Sequence, residues 1–197
     1  MFWRIICELI AFLQKGEFKH LEICTDGNFN LFEGLKENNQ IEMGAVIKAR
    51  DLGNLPADTA NPDYLEHVAR EIISNNESKM KIQVIKGREL VDLNLNLIHE
   101  VGKASRWEPR LIIIEYDNSN SQLTSLNENL MAFVGKGVVF DSGGLNLKSE
   151  GFIENMHLDM CGAADVLAIA SAVASFALPL RLSNKISFAC TIPIPKY

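Results

Sequence analysis

Four charged residues on two Gly-rich stretches carry the chemistry that can be read in this chain. Lys136 and Asp141 lie in Val-Gly-Lys-Gly-Val-Val-Phe-Asp-Ser-Gly-Gly, residues 134–144. Lys148 follows shortly after, and Asp159 lies in Met-His-Leu-Asp-Met-Cys-Gly, residues 156–162. Aspartate oxygens are hard ligands suited to Zn²⁺, Mn²⁺ or Mg²⁺, and one carboxylate can bridge two ions. Lys136 can join them as a ligand only as a neutral amine, a form that an adjacent dication favours by repelling the proton. Lys148 can stay charged and point at a carbonyl oxygen or at an oxyanion formed during attack. Taken singly, these residues are solvated strand-end lysines, a turn aspartate and a helix N-cap. Together, on turns that bring charge and bare backbone to one place, they read as part of a metal-dependent catalytic site.

The unbroken run from Val134 to Ala164 resembles the leucyl (cytosol) aminopeptidases, two-metal exopeptidases. Their pattern is Val-Gly-Lys-Gly-x-x-Phe-Asp-(Ser/Thr)-Gly-Gly-x-x-x-Lys, followed by Met-x-x-Asp-Met-x-Gly-(Ala/Ser)-Ala. Ala-Arg-Asp-Leu-Gly-Asn-Leu-Pro at 49–56 and Ala-Ser-Arg-Trp-Glu-Pro-Arg-Leu at 104–111 are similar to two further stretches of that family, so the resemblance runs from about residue 44 to 190. It implies that Lys136, Asp141 and Asp159 are ligands of two divalent ions, Mn or Zn, with Asp141 shared between them. It makes Lys148 the electrophilic lysine and places Met156 in the pocket for the substrate's first side chain. The implied activity is release of leucine-like N-terminal residues from a peptide substrate by water activated between the ions, in a cytoplasmic homo-oligomer, a hexamer in the family.

One departure shapes the expectation. The family's Asn-Thr-Asp-Ala-Glu-Gly-Arg motif, whose Asp and Glu complete the metal sites, does not occur in this sequence. Two dications bring four positive charges, against which Asp141 and Asp159 set two negative ones, and buried ions require better compensation. The expectation is therefore a partial catalytic domain with an incomplete metal site, inactive or weak by itself. The alternative is a non-catalytic member of the family, acting at most as a structural or oligomer partner.

Composition sets the outer limits. With 197 residues, 47% hydrophobic and 22% charged, the chain is globular and long enough for one domain or a little more. A net charge of -6 argues against non-specific nucleic-acid binding. Cys7, Cys24, Cys161 and Cys190 have no paired short spacing, which favours reduced thiols over a zinc knuckle or a disulfide framework. The apolar segment from Met1 to Leu13 is interrupted by Arg4 and Glu8 and is too short to span a bilayer. It lacks the clean apolar run and small-residue cleavage site of a signal peptide, so no membrane association is expected. It reads as a remnant of an N-terminal domain, residues 1–43, preceding a catalytic part, residues 44–197. His20, His67, His99 and His157 show no ligand spacing. Ser142 is not in a nucleophile-elbow context, and Gly135 to Gly137 is not a phosphate-binding loop.

These groups need a scaffold. Apolar periodicity predicts helices over 43–52, 64–74 (capped by Asp63), 87–93 and 162–176, and strands over 79–85, 111–116, 130–134 and 185–192. The Asn- and Ser-rich stretch 117–129 reads as a loop. The alternation predicts an α/β fold, a mostly parallel sheet flanked by helices, with Lys136, Asp141 and Asp159 at strand ends and a helix start.

Overall fold

The computed structural model describes residues 29–118, 131–178 and 181–191. The segment Met1–Leu13 and nearly all of the predicted loop 117–129 lie outside the described residues. The chain divides into two compact units, Met1–Lys36 and Glu37–Tyr197, and every element below except the first turns of helix α1 lies in the second. Helix α1 (Phe29–Asn54) is far longer than its predicted core, and the expected boundary after residue 43 falls inside it.

Helix α2 (Pro62–Ser74) buries Leu65, Val68, Ala69, Ile72 and Ile73, the 3-4 spacing of one helical face. Its cap is Asn61 rather than Asp63: the Asn61 side chain accepts the Tyr64 N–H at 3.0 Å. Pro62 explains the shift, because a proline suits the first helical position and leaves the cap to the residue before it. Asp63, in the first turn, instead pairs with Arg110.

Strand β1 (Met80–Lys86) leads into two short helices, α3 (Arg88–Asp92) and α4 (Asn96–Gly102). Strand β2 (Arg110–Asp117) buries Ile112, Ile114 and Tyr116 on one face. Strand β3 (Met131–Asp141) is followed by a 3-10 turn (Met156–Met160), helix α5 (Cys161–Phe176) and strand β4 (Arg181–Thr191). The predicted strand ending at Val134 continues to Asp141, so Lys136 sits in mid-strand and Asp141 at the strand end.

The sheet order is β1-β2-β4-β3. The α/β fold is as expected, but the sheet is not mostly parallel. β1 pairs with β2 and β2 with β4 in antiparallel fashion, and only β3 and β4 run parallel. The reason is physical: an apolar run reports that a strand is buried, not which way it points. Direction follows from connectivity, and among these pairs only β3 and β4 are joined by a crossover helix, α5.

Helix α5 is the central core element, burying Ala163, Ala164, Val166, Leu167, Ala170, Val173 and Ala174. With the preceding 3-10 turn it makes a 21-residue stretch apolar enough to cross a membrane, but half of it is buried inside the protein, as befits a core helix. It ends at Ala177, held in the left-handed region with φ 49° and ψ 41°. An alanine there suffers a Cβ clash that glycine avoids. Ala177→Gly is therefore expected to raise stability by about 1 kcal/mol, read as a higher denaturant midpoint. A lower midpoint would show that the Ala177 methyl packs usefully.

Candidate functional site

The site forms where the end of β3, the loop after it and the 3-10 turn before α5 converge. Lys136 projects from β3, and its Nζ donates to Asp159 Oδ1 on the 3-10 turn at 2.7 Å. Asp141 ends the same strand, with Oδ1 accepting the Gly143 N–H at 2.9 Å and Oδ2 lying 3.1 Å from Lys148 Nζ. Lys148 returns to Asp141 because the intervening loop closes on itself, its N–H donating to the Ser142 carbonyl at 2.9 Å. That closure needs glycine at 143, where φ is 89° and an added Cβ would lie 2.5 Å from the Asn146 carbonyl oxygen. The four charged groups thus form two crossed pairs, Lys136 with Asp159 and Lys148 with Asp141.

Electrostatics distinguish the two carboxylates. Burial acts to raise the Asp141 carboxyl, but the Gly143 N–H, the Lys148 ammonium and the more distant Lys136 outweigh it and hold the group below the usual carboxylate range. On Asp159, the second oxygen, Oδ2, is buried and has no hydrogen-bond partner. An ionised oxygen shut away from water with nothing to accept is costly, and a cation beside it would remove the cost. This orphaned atom, with the hard-oxygen character of both carboxylates, fits a divalent metal ion. The donor set is limited: among the described residues no group of three or more His, Cys, Asp or Glu is placed to hold an ion. Lys136, Asp141 and Asp159 are what this segment brings.

The remaining predicted residue, Met156, is half-buried at the start of the 3-10 turn. Around the site, Leu145, Leu147 and Phe152 are exposed apolar side chains on the loop that carries Lys148 and on the approach to Met156. Cys161, which opens α5, is an uncrosslinked, half-buried thiol. Burial first, then the Asp165 and Asp159 carboxylates, push it above the ordinary thiol range. His67 is exposed on α2 beside Glu71, away from these groups in sequence and on another element. The residues missed by sequence reasoning are Gly135 and Gly162, whose backbones meet between the two halves of the site. Their signal was present as a glycine in each of the two motifs, next to or near a charged residue.

Comparison with known proteins bears on the family and the fold. The cytosol aminopeptidase family, catalytic domain, matches residues 47–193. A cytosol aminopeptidase of Buchnera aphidicola subsp. Acyrthosiphon pisum (strain APS) is 34% identical over 143 residues, 73% of this chain and 28% of that protein. Among solved structures, the cytosol aminopeptidase from Coxiella burnetii superposes with a TM-score of 0.70 at 29% identity, over 80% of this chain and 32% of that one. The bottromycin maturation enzyme BotP in complex with Mn does so with a TM-score of 0.69 at 33% identity, again over 80% and 32%. The chain therefore spans about a third or less of the proteins it matches.

Proposed function

This chain belongs to the cytosol aminopeptidase family, and from that premise we propose that it serves a metal-dependent aminopeptidase acting on the N-terminal residue of peptides. The observation that carries the reading is the orphaned, buried Asp159 Oδ2 beside Lys136, at the point where the family motif places a metal ligand. Asp159, Asp141 and Lys136 would hold divalent ions, and the Mn in the BotP neighbour supports manganese as one of them. When bound, such ions supply Lewis acidity and activate water for attack on the peptide carbonyl.

The chain's own residues have defined work in this scheme. Asp159 would offer a cation its unpartnered Oδ2, whereas Asp141 would have to give up its contact with Lys148. The ammonium of Lys148, no longer held by Asp141, would be available to offer a positive charge to the scissile carbonyl oxygen as it becomes an oxyanion. Met156 lines the space for the first side chain, where an unbranched thioether accommodates leucine-like shapes. Further anionic ligands are required to balance two dications, and they come from outside the described residues or from a second chain. We place the protein in the cytoplasm and in a homo-oligomer, on the strength of the family alone.

The test is Mn²⁺-dependent hydrolysis of a leucyl-anilide. The expected rate of the chain alone is small and strictly metal-dependent, and Lys148→Ala should lower kcat by about 10²–10³. A rate that survives chelation, or one that Lys148→Ala leaves intact, would overturn the mechanism. The complete lack of a Mn²⁺-dependent rate would select the second reading, a non-catalytic member of the family, which the small set of carboxylates at the site among the described residues favours.

A further inference from the structure

Lys136 and Asp159 are 23 residues apart and meet because β3 and the first turn of α5 touch backbone to backbone. A Cβ built on Gly135 would lie 2.3 Å from the Gly162 carbonyl oxygen, 2.7 Å from its carbon and 2.9 Å from Ala163 Cα. One built on Gly162 would lie 3.0 Å from the Lys136 nitrogen and 3.3 Å from its carbonyl oxygen. These neighbours are main-chain atoms of a strand and a helix, which cannot swing aside as the end of a flexible side chain can. Nor is glycine needed at either position for its backbone angles. The glycines with positive φ among the described residues are Gly87, Gly143, Gly144 and Gly151, and neither Gly135 nor Gly162 is one of them. What requires glycine here is the contact itself.

We propose that Gly135 and Gly162 are positioning residues for the cation site: by letting β3 and α5 approach with no side chain between them, they set the separation of Lys136 from Asp159. The inference rests on the metal-binding reading for its consequence but not for its geometry. A methyl group at 135 must drive the strand and the first turn of α5 apart by about an ångström to reach ordinary contact distance. A displacement of that size must lengthen the 2.7 Å hydrogen bond or force the Lys136 side chain into another rotamer to keep it. Metal ligands are less forgiving, since distances must hold to within about 0.2 Å. Each glycine therefore acts through its charged neighbour, Gly135 through Lys136 and Gly162 through Asp159, three residues earlier.

The experiment compares the full chain with Gly135→Ala, Gly162→Ala and, as a control, Gly44→Ala, where an added methyl meets nothing within 4 Å. Two quantities are read: the Lys136 Nζ to Asp159 Oδ1 distance in a crystal structure without metal, and Mn²⁺ affinity by calorimetry. Gly135→Ala should break the 2.7 Å contact and weaken Mn²⁺ binding by about 10–100-fold, the range seen when support around a metal ligand is lost. Gly162→Ala, with a milder clash, should keep a cooperative melt and still lengthen the contact and lower affinity several-fold. The control should change neither. If Gly135→Ala does not fold, Gly162→Ala decides the matter. A folded Gly162→Ala chain with the pair intact and Mn²⁺ affinity unchanged would overturn the proposal. Should the unaltered chain bind no Mn²⁺, the metal reading fails, and the pair distance alone decides whether the glycines position these residues.

Discussion

Calorimetric titration with Mn²⁺ is expected to show weak, readily exchanged binding that Asp159→Ala weakens by at least tenfold, about 1.4 kcal/mol. The argument is local. Asp159 places one oxygen on Lys136 and leaves the other buried and unpartnered, so an entering cation gains a ligand that nothing in the protein competes for. Asp141 is in a different position, since both its oxygens already have partners and a cation must displace Lys148. Affinity should be modest, because among the described residues two carboxylates supply few of the ligands a dication needs and set only two negative charges against the four of two ions. Asp159→Ala frees Lys136, which is 61% exposed and solvates without cost, so the fold should survive and the loss of binding can be assigned to the ligand. Two tightly held ions per chain would show that the donor set is larger than Lys136, Asp141 and Asp159. Unaltered affinity in the variant would remove Asp159 from the site.

Arg110→Met should destabilise the chain by about 3 kcal/mol, the low end for breaking a buried ion pair. For a chain of this size that corresponds to about 6–12 °C in Tm. Arg110 is 3% exposed at the start of β2, where its guanidinium donates to Asp63 and Glu66 on α2 and to the Glu108 carbonyl. It ties the sheet to that helix. Removing it leaves the Glu66 carboxylate with Arg70 alone, at 2.6 Å, which is why the loss falls at the low end of the range. The same pair predicts a pH dependence. Burial acts to raise the Glu66 carboxyl, yet hydrogen bonds and charge from Arg70 and Arg110 outweigh it and hold the group below its usual range. A depressed carboxyl contributes stability that is present above its unfolded value, about 4.3, and is lost as pH falls through the lower folded value. The melting temperature of Arg110→Met should accordingly fall less steeply with pH below that point. A variant that melts within about 1 °C of the parent would show that the ion cluster does not hold α2 to the sheet.

Much of the site was legible in the sequence because its chemistry lies in short runs. Lys136, Asp141 and Lys148 fall within thirteen positions, and Asp159 follows in a second run. Residue type fixes what each can do, so carboxylates near lysines on Gly-rich turns point to metal and oxyanion chemistry without coordinates. The α/β alternation was legible for the same kind of reason: the apolar period of α2 and α5 and the unbroken runs of β2 and β3 are local properties, set by which face each element buries. Terms that depend on partners were not legible. Asp63 looks like a cap until Pro62 hands that task to Asn61, and the pairing of Arg110 with Asp63 and Glu66 exists only once α2 lies beside β2.

From its residues alone, then, the chain declares its family and its candidate ligands. Those properties reside in covalent identity and in periodicity over a few residues. Tertiary structure decided the direction of the strands, with β4 inserted antiparallel to β2 and parallel to β3, because pairing direction depends on connectivity across the whole sheet. It also decided the pairing of charges, Lys136 with Asp159 and Lys148 with Asp141, and left Asp159 Oδ2 without a partner. Burial and distance between residues far apart in sequence exist only once β3 and α5 have closed on each other through Gly135 and Gly162.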